Sequence, residues 1–295
     1  MEKRKWHWGD RNDGYLLEDS DPMHVIIPYI MPDRAANEAV LGDIVETDAM
    51  DAYLEKKNAG NPDFKYTWFH IICAAIAKTM ILKPKLNYFI TAKRMYAHKD
   101  IDISFIARRE FNEHSSEAVA ICKVNPEGGS PVDQVHDYVQ KFVKGVRHEH
   151  KVESTTKKMG VLSHCPRLVL RLFFWILDLL DYYGIYPLFL RGDDPRYCSA
   201  FVSNLGSIQM NADYHHLYNK GTCSFFAAIG EKKARPFFKE DGSVEMRNTI
   251  KLSYTIDERI ADGYYYAKSI RIMRHLIQHP ELLDLDASAP IDYEP

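Results

Sequence analysis

The sequence predicts a mixed α/β domain, on three observations. In residues 246–257 the even positions Met246, Ile250, Leu252, Tyr254 and Ile256 are apolar, with Asn248 the exception, and the odd ones are polar or charged. That period of two marks a half-buried β-strand. After Asp262-Gly263, the stretch 264–280 carries Ala267, Ile270, Met273 and Ile277 at helical spacing, with Lys268, Arg271 and His275 opposite and Pro280 closing it. A third run, 67–82, reads as a strongly apolar helix stopped by Lys83-Pro84. It is too short, and too interrupted by His70 and Lys78, to span a bilayer.

The remaining elements follow in chain order. Residues 1–15 are polar and glycine-containing and predict an arm on a neighbouring surface, which sets a division into an arm, 1–22, and a single domain, 23–295. MHVIIPYIM, 23–31, reads as a strand whose Pro28 marks an edge or a bulge. Residues 37–58 have the charge and spacing of a helix that buries Val45 and Leu54. Residues 101–108 alternate cleanly as a strand, and 117–124 do so less cleanly. Residues 131–147 predict an amphipathic helix with Val132, Val135, Val139, Phe142 and Val143 on one side. Residues 197–206 make a further strand that ends at a glycine.

The most apolar stretch is 167–190. On a helix its charges Arg167, Arg171, Asp178 and Asp181 fall on one narrow face and leave a wide apolar arc. Burial in the core or in a subunit interface is one reading of that arc; contact with a membrane surface or with a long apolar substrate is the other. The uncharged run 172–177 is far short of the roughly 20 residues a membrane span needs.

Composition excludes several functions. A chain of 295 residues, 46% hydrophobic and 27% charged, can bury a core as one large domain or two small ones. A formal charge of −3 and a pI near 6.5 give no electrostatic case for nucleic acid. Five scattered cysteines without a CxxC pair predict reduced thiols in a cytoplasmic protein, with neither a disulfide framework nor a zinc site. No apolar h-region opens the sequence, so no signal peptide is expected. There is no HExxH, phosphate-binding glycine loop or GxSxG elbow, and His148-Glu149-His150 is a weak metal candidate, so no metal is expected.

Residues 257–263 read Asp-Glu-Arg-Ile-Ala-Asp-Gly. They resemble the DHRxxDG signature of the catalytic domain of 2-oxoacid dehydrogenase acyltransferases, a family that shares its fold with chloramphenicol acetyltransferase. Glu258 stands where that family has its histidine base. Ser203-Asn204-Leu205-Gly206 is similar to the family's TISNLG segment, and 214–230 to the loop and strand that follow it. The resemblance is continuous from Ala200 to Gly263, a pattern only from Met23 to Asn87, and absent from 1–15 and 151–190. No lipoyl domain is found, so a free-standing catalytic domain is expected.

The resemblance implies a two-layer sandwich with a mixed sheet covered by helices. It implies transfer of an acyl group between coenzyme A and a small acceptor, in a homotrimer with its active site between subunits. In this reading Ser203 steadies the oxyanion; its other reading is a hydroxyl satisfying a strand end. Glu258, if buried by its inward phase, is a raised-pKa base; paired with an arginine, it is a structural strut. His215 or His216 could supply an imidazole instead, one at most facing any cleft. Asp262 orients the catalytic loop, caps the next helix, or both. Gly263 fits a turn that needs a positive φ or a close approach. Loss of the histidine also leaves open a non-catalytic trimer acting as a scaffold or ligand-binding protein.

Overall fold

The computed structural model describes residues 5–18, 21–108, 117–148, 160, 162–187, 190 and 194–295. The alternating run folds as strand β9 (Val244–Asp257), antiparallel both to β2 (Glu38–Glu46) and to β8 (Phe225–Phe238). β8 runs parallel to β7 (Ala200–Asn204), and β7 parallel to β5 (Ile101–Arg108). An antiparallel β6 (Glu117–Val124) completes a mixed sheet of order β2-β9-β8-β7-β5-β6. A second sheet joins β1 (Gly14–Leu16), β4 (Arg94–His98) and β3 (Tyr88–Thr91).

One face of the large sheet is covered by α3 (Trp68–Leu82), α4 (Pro131–His148) and α6 (Gly263–Gln278). α3 is apolar almost all round and is buried accordingly, Ile71 to Ala77 being inaccessible to solvent. Its one buried ammonium, Lys78, donates to the carbonyls of Leu282 and Asp286 at 3.1 and 2.9 Å. Sheet under helices is the two-layer α/β sandwich.

Four expectations are corrected. Residues 22–30 form a helix, α1 (Pro22–Ile30), and not a strand. Asp21 caps it by accepting from the Met23 N–H, and Pro22 occupies the first turn, where a missing N–H costs nothing. Residues 37–58 divide into β2 and α2 (Asp48–Lys57). β2 conceals its period because Val40 and Ile44 face out while the carboxylate of Asp43 faces in, held by Arg274 at 2.6 and 2.9 Å. The start of the chain does not lie wholly on a neighbour. Gly14–Leu16 pairs with β4, and buried Arg11 binds Asp13 and Asp181 of the same chain. Lastly, residues 167–182 form α5 (Arg167–Tyr182), whose arc is not in the core: of its side chains only Leu177 is buried.

Close approach requires glycine at positions 206 and 230, on the second face of the sheet. A Cβ on Gly206 would lie 2.6 Å from the Gly230 carbonyl oxygen, and one on Gly230 would lie 2.6 Å from the Ala212 nitrogen. Both sit where the loop after β7 is pressed against β8.

Candidate active site

The turn after β9 is built around Asp257, which is fully buried. Arg259 grips it with two bonds of 2.7 Å, and Arg34 approaches the same carboxylate at 3.4 Å. Arg34 also donates to the carbonyls of Tyr218, Gly221 and Ile90, and Arg259 to those of Met31 and Pro32. The Tyr266 hydroxyl donates to the Asp257 carbonyl at 2.7 Å. Burial, and then the Asp257 charge, push that phenol well above its ordinary value and keep it a neutral donor. A buried carboxylate between two guanidiniums, each of which also donates to backbone carbonyls, holds the turn in one conformation.

Glu258 sits on this base and is exposed, not buried as its phase in the strand suggested. The strand ends at Asp257 and the chain turns, which swings the next side chain outward. The strut role belongs to Asp257; the Glu258 carboxylate makes no ion pair among the described residues. It lines a cleft of about 500 Å³ between β2 and α6, together with Leu41, Ala261, Ile270 and Arg271. A volume of this size falls in the range of small-ligand sites.

Asp262 caps α6 by accepting from the Tyr265 N–H at 2.8 Å. Gly263 has neither a positive φ nor a close neighbour, contrary to the expectation; a side chain there would project into open space. It lines the same cleft.

Ser203 lies elsewhere. It is half-buried on β7, on the face of the sheet away from α3, since its neighbour Val202 is in the helix-covered core. The register runs Ser203, Ala228, Ser253 across three strands. Glu258 lies one residue past the end of β9 and five residues beyond Ser253. At about 3.3 Å per residue and about 4.8 Å per strand, Ser203 and Glu258 are roughly 19 Å apart within one chain.

The loop after β7 crosses this second face. Phe226 pairs with Phe201, two residues before Ser203, and the His215 ring stacks on Phe226 at 4.3 Å. The His215 Nδ1 lies 3.0 Å from the His216 carbonyl, which can only accept. That assigns the proton to Nδ1 and leaves the lone pair on Nε2. His216 is exposed and makes the same kind of contact with the Leu217 carbonyl at 3.2 Å. His215 is therefore the imidazole on the Ser203 side of the sheet, and Glu258 is the carboxylate past the end of β9.

Residues 191–285 match the family model of the 2-oxoacid dehydrogenases acyltransferase (catalytic domain). Over this third of the chain the sequence is similar to that catalytic domain. No curated protein matches the chain. Its fold is similar to a probable dihydrolipoamide acetyltransferase from Listeria monocytogenes, with TM-score 0.58 at 14% identity over 89% of this chain and 95% of that one. It is also similar to the cubic core of a pyruvate dehydrogenase multienzyme complex, with TM-score 0.58 at 12% identity over 92% and 96% of the two chains. A chloramphenicol acetyltransferase follows, with TM-score 0.51 at 10% identity over 90% and 98%. The family segment takes in Ser203, the two histidines and the whole turn from Asp257 to Gly263, and stops short of α5.

Sequence reasoning missed Arg34, which ties the turn to the 218–221 loop. Its partner is 223 residues away, and no local pattern announces it. His148-Glu149-His150 lies outside the described side chains; among the described residues no three His, Cys, Asp or Glu side chains gather as a metal set.

Proposed function

We propose that the protein transfers an acyl group between coenzyme A and a small hydroxyl, amine or thiol acceptor, at a site completed by two subunits of a homotrimer. The observation that carries this is the separation of Ser203 and Glu258, which stand roughly 19 Å apart within one chain. Two groups roughly 19 Å apart cannot act on one carbonyl. A cyclic arrangement, in which one subunit's Glu258 meets the next one's Ser203, makes a heterologous contact that closes as a ring. Likeness to the core of a multienzyme complex supports assembly of this kind.

In this reading the Glu258 carboxylate accepts the acceptor's proton as the acceptor attacks the thioester carbonyl. A neighbouring subunit over the cleft would exclude water, which strengthens a carboxylate as a base. The Ser203 hydroxyl donates to the oxyanion, and collapse of the tetrahedral adduct breaks the C–S bond. The thiolate leaves and takes up the proton. Asp262, Asp257, Arg34 and Arg259 position the turn without touching the reacting atoms. His215, already on the Ser203 side, is the competing base.

Titration calorimetry with coenzyme A and acetyl-coenzyme A tests binding, with one site per chain expected. A thiol-release assay then separates the bases. Glu258→Ala is expected to lower kcat by about 10²- to 10⁴-fold and Ser203→Ala by about 10²- to 10³-fold. If His215→Ala is the damaging change and Glu258→Ala is silent, the base is the imidazole. Absence of binding at millimolar ligand would leave a non-catalytic trimer as the reading.

A further inference from the structure

Helix α5 lies outside the family segment, and its sides divide into three sectors at 100° per residue. One faces the body of the protein. Leu177 and Phe173 pack with Tyr186, Tyr197 and Leu190, and Asp181 receives the buried Arg11 guanidinium. A second sector faces outward and is wholly apolar, with Leu168 79%, Trp175 59%, Leu172 57% and Leu179 42% exposed. Between the two runs a polar edge of Arg167, Arg171 and Asp178, the last paired with Lys220. With Asp181 turned inward, that edge carries three cations against one carboxylate. Tyr182 and Tyr183 are exposed where the helix ends.

We propose that α5 is a membrane-surface helix that seats the protein on a bilayer containing anionic phospholipid. Leu168, Leu172, Trp175 and Leu179 enter the acyl boundary, and Arg167, Arg171 and Lys220 meet headgroup phosphates. The sector order is that of an interfacial helix, with an apolar face, a basic flank and aromatic rings at the edge. Among the described residues no helix is long and apolar enough to cross a membrane, so α5 lies along the surface. A groove of about 700 Å³ between Arg171, Trp175 and Lys220 offers room for a headgroup and the first part of a chain.

A second copy of the chain fits this face less well. Sixteen residues make a rod about 24 Å long, and a face about 10 Å wide on it presents roughly 240 Å². Pairing two such faces buries roughly 480 Å², well below the about 1,200 Å² of a stable interface. In an antiparallel pairing the cationic edges would also face each other. A lipid surface needs only one such face and supplies the opposite charge.

The test is co-sedimentation of the full chain with vesicles of phosphatidylcholine, with and without phosphatidylglycerol at about a third of the lipid. Binding is expected to the anionic vesicles only. Leu172→Ser with Trp175→Ser should lower the partition coefficient by about tenfold or more, and Arg167→Gln with Arg171→Gln by about thirtyfold. All four positions are exposed, so the fold should survive; sedimentation velocity without lipid checks this. Wild-type protein left in the supernatant, equal binding to neutral vesicles, or variants that bind like wild type would each overturn the proposal. So would a smaller assembly on Leu172→Ser, Trp175→Ser alone, which would assign the face to a second copy.

Discussion

The turn after β9 and helix α5 use the same ingredients, arginines, aspartates and large apolar side chains, to opposite ends. At the base of the turn three charges are inside: Asp257, Arg34 and Arg259 are at most 3% exposed and bind one another and five carbonyls. On α5 only Asp181 is drawn inward, and the apolar side chains face out. Charge turned inward fixes a conformation. Apolar surface turned outward leaves a face for something else to cover. Asp257 and Arg259 lie in the segment that matches the family model, while Arg34 and α5 lie outside it.

Removing one partner from the turn should have the largest effect. Arg34→Met removes one of the two guanidiniums on Asp257 and leaves three carbonyls without their donor, and is expected to cost about 3–5 kcal/mol in urea unfolding. Unchanged stability would mean that Arg259 alone holds the turn.

A smaller effect distinguishes buried polar groups with partners from those without. The His70 Nε2 is buried with no partner, while Nδ1 accepts from the Thr67 N–H at 2.9 Å. Burial first, and neighbouring His136 second, push the imidazole from its ordinary 6.5 down to about 4. Between those values the unfolded chain binds the proton and the folded chain does not. Stability is therefore complete above about pH 6.5 and falls on acidification toward pH 4, by about 3 kcal/mol. Unfolding curves at pH 7 and pH 5 for wild type and His70→Gln measure the difference; parallel losses would remove His70 as the cause.

The smallest effect belongs to α5. Leu172→Ser is expected to change stability by less than about 0.5 kcal/mol, since its side chain is mostly in water already. A loss several times larger would show that the face is covered in solution.

Much of the architecture was legible where local pattern and tertiary role agree. Strands 101–108 and 117–124 end where alternation ends, and α3 stops at Lys83 because Pro84 cannot continue it. The motif around Ser203 and the turn 257–263 was visible as well. What failed was decided by distant partners. β2 is a strand because β9 pairs with it and Arg274 neutralises Asp43, neither visible in EAVLGDIVE. Phase extrapolated past Asp257 put Glu258 inside, but alternation holds only while the chain stays extended. The exposure of α5 was unreadable for another reason: an apolar arc records that something covers it, and not whether that cover is the protein itself.

On the proposed two-subunit site, the separation of Ser203 and Glu258 also bears on genetics. Sites assembled from one residue of each neighbour allow two dead variants to rescue each other. Mixed in equal amounts, Ser203→Ala and Glu258→Ala subunits would form rings in which about one interface in four joins an intact serine to an intact carboxylate. Activity should return on co-refolding, though neither parent has it. Diluting such rings until they dissociate should extinguish turnover while each chain stays folded, making catalysis a property of protein concentration as well as of sequence.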